Sequence, residues 1–288
     1  MTNVLTMLRK FYIHPLLWVV IAVAVMTAHF TELIMLLGII IIHELGHACT
    51  AHYFSWRVRR IALLPFGGVA EVDEHGNRSL DEEFWVVAAG PLQHVWLIGA
   101  GWGLAHFDII APSTFLLFLH LNLAVLLFNL LPIWPLDGGK LVSLLMAMKW
   151  NYLKAYEYTL LLSFALLLCF HAFVLLASPA NLNLWVILTF LYFSLWKDWK
   201  QRRYVFMKFL MERYYGDHHQ FLDLKPLPVD SESSVLEVVE RFHRGVKHPL
   251  VVMKDGQEVG KLDENELLHA FFAEKMTSAK TKDLLYLY

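Results

Sequence analysis

Apolar residues gather into six long runs separated by short polar stretches: Leu16 to Phe30, Leu33 to Ala51, Phe84 to Ala105, Thr114 to Leu136, Tyr156 to Ala177 and Leu182 to Trp196. An α-helix needs roughly 20 apolar residues to cross a ~30 Å hydrocarbon core, and these runs approach or exceed that length. The pattern predicts six transmembrane helices over residues 1–199. After Trp196 the pattern changes. "WKDWKQRRYVFMKFLMERYYGDHH" mixes bases with aromatics, as chains do at a membrane exit, and predicts an interfacial helix or linker over 200–224. From Lys225 onward the chain reads as soluble. Ser233 or Ser234 caps a helix with Val235, Leu236, Val238, Val239 and Phe242 at helical spacing, two short strands flank the turn signal Asp255-Gly256, and "DENELLHAFF" predicts a second capped helix. The fold class expected is an all-α polytopic membrane bundle carrying a small cytosolic α/β domain over 225–288.

Composition strengthens the membrane reading. Of 288 residues, 57% are hydrophobic and 17% charged, against roughly 25% charged in an ordinary soluble domain. The basic residues sort to one side. Arg9 and Lys10, the cluster Arg57 to Arg78, Lys140 to Lys154 and Lys197 to Arg203 all flank the side of the amino terminus. The three loops on the other side carry no Lys or Arg. The positive-inside rule then predicts cytosolic termini. The first run lacks a small-residue cleavage site and is expected to be a retained helix. A net charge of −2 gives no reason to expect a nucleic-acid partner, and Cys49 and Cys169 do not make a disulfide framework.

Chemistry enters in the second run. "GIIIIHELGHACTAHY" ends a stretch of isoleucines with His43, Glu44 and His47. A charge at the centre of a membrane helix costs about 2.5 to 3.5 kcal/mol on insertion scales, so such residues mark function by default. His43 and His47 stand one helical turn apart on one face. Both can reach one tetrahedral metal ion, and Glu44 can take a proton from water activated there. A catalytic zinc site usually has a third protein ligand. The candidate is Asp137 in "NLLPIWPLDGGKL", expected to end the fourth run, which points to the same side as the HELGH turn.

These residues carry a resemblance. "HELGH" on an early membrane helix, "AAGPLQH" at Ala88 to His94 and "FNLLPIWPLDGG" at Phe128 to Gly139 together resemble the site-two protease family of intramembrane zinc metalloproteases. "KHPLVVMKDGQEVGKL" resembles a single cystathionine-beta-synthase (CBS) repeat. Six helices followed by that repeat are similar to the subgroup of the family that processes pro-sigma factors in sporulation. The resemblance implies one zinc ion held by His43, His47 and Asp137, with Glu44 as catalytic base. It also implies a site role for Asn129 near the scissile carbonyl. The family places a membrane-dipping hairpin, able to pair with a substrate strand, at "RRIALLPFGGVAEVDEHG", which would bring Gly67 and Gly68 to the substrate or oxyanion. A plain surface loop is the competing reading of that segment.

The same resemblance implies a membrane-associated pro-sigma factor as substrate, membrane-embedded inhibitory regulators, and a mother-cell membrane around the forespore. CBS repeats bind adenine nucleotides and work in pairs, so ATP and homo-oligomerisation through residues 225–288 are expectations. A structural or docking role for that domain is the alternative. Two departures stand out. His94 replaces the usual Asn after "AAGP" and can pack, hydrogen-bond or touch the metal; Asp263 and Glu266 replace the expected Ser or Thr and Asp of a nucleotide site. A metal transporter or a non-catalytic scaffold would also place His, Glu and Asp in helices. A transporter, however, needs polar residues beyond His43, where Leu33 to Ile42 is nearly all apolar and His120, Asn122 and His171 are scattered.

Overall fold

A computed structural model of the chain describes residues 11–13, 15–64, 67–72, 78–216 and 224–285. In chain order the elements are β1 (Phe11–Ile13), α1 (Pro15–Met26), α2 (Phe30–Tyr53), β2 (Val58–Leu64), β3 (Gly67–Val72), α3 (Leu80–His106), α4 (Pro112–Asn129), α5 (Asp137–Lys149), α6 (Tyr152–Ala177) and α7 (Leu182–Tyr215). There follow β4 (Leu227–Asp230), α8 (Val235–Val239), β5 (Leu250–Lys254), β6 (Gln257–Leu262), α9 (Glu264–Phe272) and α10 (Thr281–Leu284). Among the described residues, α2, α3, α4 and α6 are long and apolar enough to cross a membrane.

Three of the expected boundaries move. The first run forms only the 12-residue α1, about 18 Å at 1.5 Å per residue and short of the hydrocarbon core. The sixth run is the start of α7, which continues unbroken for 34 residues past Lys197, Asp198 and Lys200. Residues 200–215, expected from their composition to be an interfacial helix or linker, continue that helix, and 217–223 lie outside the described residues. The fourth run stops at Asn129. Pro132 and Pro135 lack the amide donors a helix needs, and Trp134–Pro135 is cis. Asp137 therefore opens α5, where a carboxylate faces the positive end of the helix dipole.

The chain divides into two compact units. The first holds β1 to β3, α1, α2, α3 from Asp81, α4, α5 to Leu141, α6 from Ala165 and α7 to Tyr192. Its β2 pairs parallel with β1 and antiparallel with β3, with Leu64 opposite Gly67 and Ile61 opposite Ala70. Of "RRIALLPFGGVAEVDEHG", β2 and β3 thus pair as a hairpin and not a plain loop, while 65–66 and 73–76 lie outside the described residues. Ala48 and Ala51 of α2 pack with Trp56, Val58 and Ile61 of the hairpin arm and Val86 of α3, so the strands are fastened to the helix that carries the HELGH residues. Trp56 donates its indole N–H to Glu82 at 3.0 Å.

The second unit holds the first part of α6, α7 from Phe193 and all the carboxy-terminal elements. Its sheet has the order β4-β5-β6, parallel then antiparallel. Asp255 and Gly256 both adopt positive φ, the geometry of a two-residue hairpin turn. Pro228 is tolerated because β4 is an edge strand. Ser234, rather than Ser233, caps α8 in a capping box with Glu237, and Asp263 does the same for α9 with Glu266. Leu153 of α6 and Phe206, Phe209 and Leu210 of α7 share one core with Val229, Val252, Leu267 and Phe271.

Arg213 at the end of α7 is buried among these elements. It donates to both carboxylate oxygens of Glu264 at 2.7 Å and to the carbonyls of His243 and Val246. Glu264 also accepts the backbone N–H of His248 at 2.6 Å. Buried charges survive only when paired and hydrogen-bonded in this way.

His248 gives this unit a pH dependence. Its Nδ1 donates to the Lys225 carbonyl at 2.9 Å and its Nε2 accepts the His243 N–H at 2.8 Å, so it is neutral. Burial, helped by the charge of Arg213 and opposed by the Lys225 hydrogen bond, pushes its pKa down to about 4. The folded state resists a proton that the unfolded chain accepts near pH 6.5. The stabilisation is therefore complete above pH ~6.5 and is lost as pH falls toward 4, by about 3 kcal/mol in all. Hydrogen exchange on the full chain, corrected for intrinsic rate, is expected to show β5 losing protection between pH 6.5 and 4.5. His248→Gln should flatten that slope; an unchanged slope would refute the assignment.

Candidate active site

His43, Glu44 and His47 lie on α2 and are buried, as is Asp137 in the first turn of α5. Three atoms converge. His43 Nε2 lies 3.0 Å and His47 Nε2 3.1 Å from Asp137 Oδ2, and the two imidazole nitrogens are 3.1 Å apart. Among the described residues this is the one group of at least three metal-binding side chains with ligand atoms in reach of one ion. Zinc with bonds of 2.0–2.1 Å in a tetrahedron sets ligand atoms about 3.3 Å apart, so the donor set fits.

The outer nitrogens say which atoms are free to ligate. His47 Nδ1 lies 2.7 Å from the Val86 carbonyl, which can only accept, so the proton sits on Nδ1 and Nε2 presents its lone pair inward. His43 Nδ1 lies 3.0 Å from His94 Nε2, and His94 Nδ1 lies 2.8 Å from Asn122 Oδ1. Lys140 donates to Asp137 Oδ1 at 3.0 Å, one turn along α5, leaving Oδ2 turned toward the histidines. Lone pairs crowded together in a buried place call for a cation.

Glycines make the crowding sterically feasible. A Cβ on Gly90 would overlap the His47 ring and come within 2.8 Å of His43 Cε1, and one on Gly46 would sit 2.6 Å from the Ala89 carbonyl. The helices α2 and α3 thus cross closely where small residues allow it. A Cβ on Gly68 of β3 would fall 2.6 Å from the carboxyl carbon of Glu44. The hairpin backbone lies directly against that carboxylate. Gly138 and Gly139 let α5 start against the backbone of Leu130 to Trp134, which seats Asp137.

The sequence expectations fare unevenly against this geometry. His43, Glu44, His47 and Asp137 come together, and Gly68 touches Glu44. Gly67 pairs with Leu64 at the hairpin end. Asn129 donates its amide to the Val125 carbonyl of its own helix at 3.0 Å, a local contact that shows nothing of the expected site role. His94 is fully buried and takes the hydrogen-bonding option. Gly90, Asn122 and Lys140 went unassigned. Gly90 lies inside "AAGPLQH", Asn122 is a scattered polar residue in an apolar run, and Lys140 counts toward topology; each gives a visible signal in the sequence without a partner to interpret it.

Comparison with known proteins gives the family. The profile of Peptidase family M50 matches residues 31–107 and 103–170. The chain is 47% identical over 288 residues to Stage IV sporulation protein FB of Bacillus subtilis (strain 168), covering 100% of both. It is 33% identical over 165 residues to Zinc metalloprotease MJ0392 of Methanocaldococcus jannaschii, covering 56% of this chain and 47% of that one. Its structure is similar to that of Site-2 Protease from Methanocaldococcus jannaschii, with a TM-score of 0.50 and 27% identity, covering 65% of this chain and 89% of the other. With a buried His-His-Asp cluster whose two histidines stand on a candidate membrane helix, and a full-length relative at this identity, the chain belongs to Peptidase family M50 and is an intramembrane zinc metalloprotease.

Proposed function

We propose that His43, His47 and Asp137 hold the zinc ion and that Glu44 is the catalytic base, in a protease that cleaves a membrane-associated pro-sigma factor near the cytosolic face during sporulation. The convergence of His43 Nε2, His47 Nε2 and Asp137 Oδ2, with Glu44 next in sequence and under Gly68, carries the reading. The similarity to a stage IV sporulation protein over the whole length supports the biological setting. It also supports a membrane around the forespore as the location, and the one-sided basic loops support cytosolic termini.

Bound zinc supplies Lewis acidity to the scissile carbonyl and lowers the pKa of water in the site. The chain's own residues do the rest. Glu44 accepts a proton from the attacking water and returns it to the leaving amine. Lys140 holds Asp137 by one carboxylate oxygen so that the other stays aimed inward. The glycine backbone of β3, lying on Glu44, brings an extended peptide paired to the hairpin within reach of the base. A helical substrate must unwind to present that peptide, because its amides are otherwise satisfied internally.

The carboxy-terminal unit is best read as a CBS-like module used for structure or substrate docking. The order β4-α8-β5-β6-α9, parallel then antiparallel, supports the likeness. The amino terminus of α9, where a phosphate would be drawn, is already occupied by the carboxylates of Asp263 and Glu266 in a capping box. ATP is therefore expected not to bind the full-length protein in the millimolar range. Saturable binding by calorimetry, lost on Asp263→Ser, would restore the nucleotide reading.

Co-expression with a candidate pro-sigma factor tests the substrate class. A shorter product whose new amino terminus maps to the cytosolic edge of the membrane-associated segment is expected. Cleavage on the opposite side would overturn the topology, and no cleavage with active enzyme on another membrane substrate would overturn the sigma-factor assignment.

A further inference from the structure

Behind the metal-binding cluster lies a second layer that the reaction chemistry does not use. His43 is held on its outer side by another imidazole, whereas His47 is held by a backbone carbonyl. A carbonyl is an acceptor in every state. An imidazole nitrogen accepts only when its single proton is on the other nitrogen. For His43 Nε2 to offer a lone pair inward, His43 Nδ1 must carry the proton and His94 Nε2, 3.0 Å away, must accept it. His94 must then be protonated on Nδ1, which lies 2.8 Å from Asn122 Oδ1.

Asn122 closes the chain. It is fully buried on α4, a helix whose candidate span is only 6% buried, so its inward placement is specific. Its Oδ1 faces His94, and its Nδ2 has no hydrogen-bond partner. Turning the amide over would offer Nδ2–H to His94 Nδ1. His94 would then donate through Nε2 to His43 Nδ1, and His43 would be left with its proton on Nε2, facing Asp137. That tautomer cannot ligate a metal. The orientation of one buried amide on α4 therefore fixes the state of a ligand on α2 through His94 on α3.

We propose that His94 and Asn122 are positioning residues, a hydrogen-bond relay that sets the tautomer and ring orientation of His43 for zinc. The proposal rests on His43 being a ligand. Outer-layer partners of this kind change metal affinity about 10–100-fold when removed. Zinc affinity of the detergent-purified full-length protein, measured by chelator competition, is the readout. His94→Phe keeps the ring volume and loses the acceptor, and is expected to weaken zinc binding about 10–100-fold. His94→Gln keeps an acceptor and loses the ring shape, and is expected to stay within a few-fold of native. Asn122→Leu leaves His94 without its director and should fall between them.

A purely packing role predicts the reverse order, with Phe better than Gln, and that order would overturn the relay. Native affinity in His94→Phe or Asn122→Leu would do the same. If His94→Phe does not yield folded protein, His94→Gln against Asn122→Leu decides alone, with equal affinities overturning the proposal. His43→Ala separates the two levels. Its failure to lower zinc binding would remove the ligand assignment itself, whereas zinc loss in His43→Ala with native binding in the relay variants would remove only the relay.

Discussion

Glu44→Gln is expected to abolish cleavage while the protein still binds one zinc ion. The side chains differ by one amide group, so packing beneath Gly68 is retained. The ligand atoms of His43, His47 and Asp137 are untouched. What is lost is a group that can take a proton from water and pass it to the leaving amine. General acid–base groups of this kind contribute about 10² to 10⁴ in rate, so product formation should fall by at least about 100-fold. Gel mobility of product, together with elemental analysis for zinc, checks both halves. Loss of zinc along with activity would mean that Glu44 acts on the metal site rather than on the proton.

Gly90→Ala is the second large effect, and it acts on the metal. The added methyl would overlap the His47 ring and sit 2.8 Å from His43 Cε1. Neither ring can swing aside freely, because His47 is tied to the Val86 carbonyl and His43 to His94. Either an outer hydrogen bond breaks or α2 and α3 separate at a crossing already set by Gly46 against Ala89. Close packing in protein interiors leaves no slack for such an insertion. Zinc affinity is expected to drop on the order of 100-fold or more, while membrane insertion is retained because the apolar spans are unchanged. Native zinc affinity in this variant would mean that the helices sit farther apart than described.

Much of this site was legible because its spacing is local. His43, Glu44 and His47 fall within one helical turn and a half, and helical periodicity alone puts both imidazoles on one face. Asp137 follows from the chemical demand for a third ligand, although it opens a helix instead of ending one. The apolar letters of "NLLPIWPL" continue the hydropathy of α4, while the prolines break its hydrogen bonding, so composition pointed one way and the backbone went the other. Gly90, Asn122 and Lys140 were hidden for a different reason. Each matters through a contact with α2, with His94 of α3 or with Asp137, and a contact between distant segments leaves no period in the sequence.

The carboxy-terminal half shows the same division. The Asp255-Gly256 turn and the capped helices are local signals and are found where expected. Strand β4 leaves no strand signal in the sequence because Pro226 precedes it and Pro228 sits inside it, and its place at the sheet edge is what allows Pro228. The burial of Arg213 could not be inferred from a stretch rich in exposed bases. Its meaning depends on Glu264, 51 residues later.

The most direct test of the account measures zinc per chain and product on a gel in the same three preparations: native, Glu44→Gln and Asp137→Ala. The account predicts one zinc per chain with product in the native protein and one zinc without product in Glu44→Gln. It predicts little zinc and no product in Asp137→Ala. Product from Glu44→Gln, or full zinc in Asp137→Ala, would contradict it.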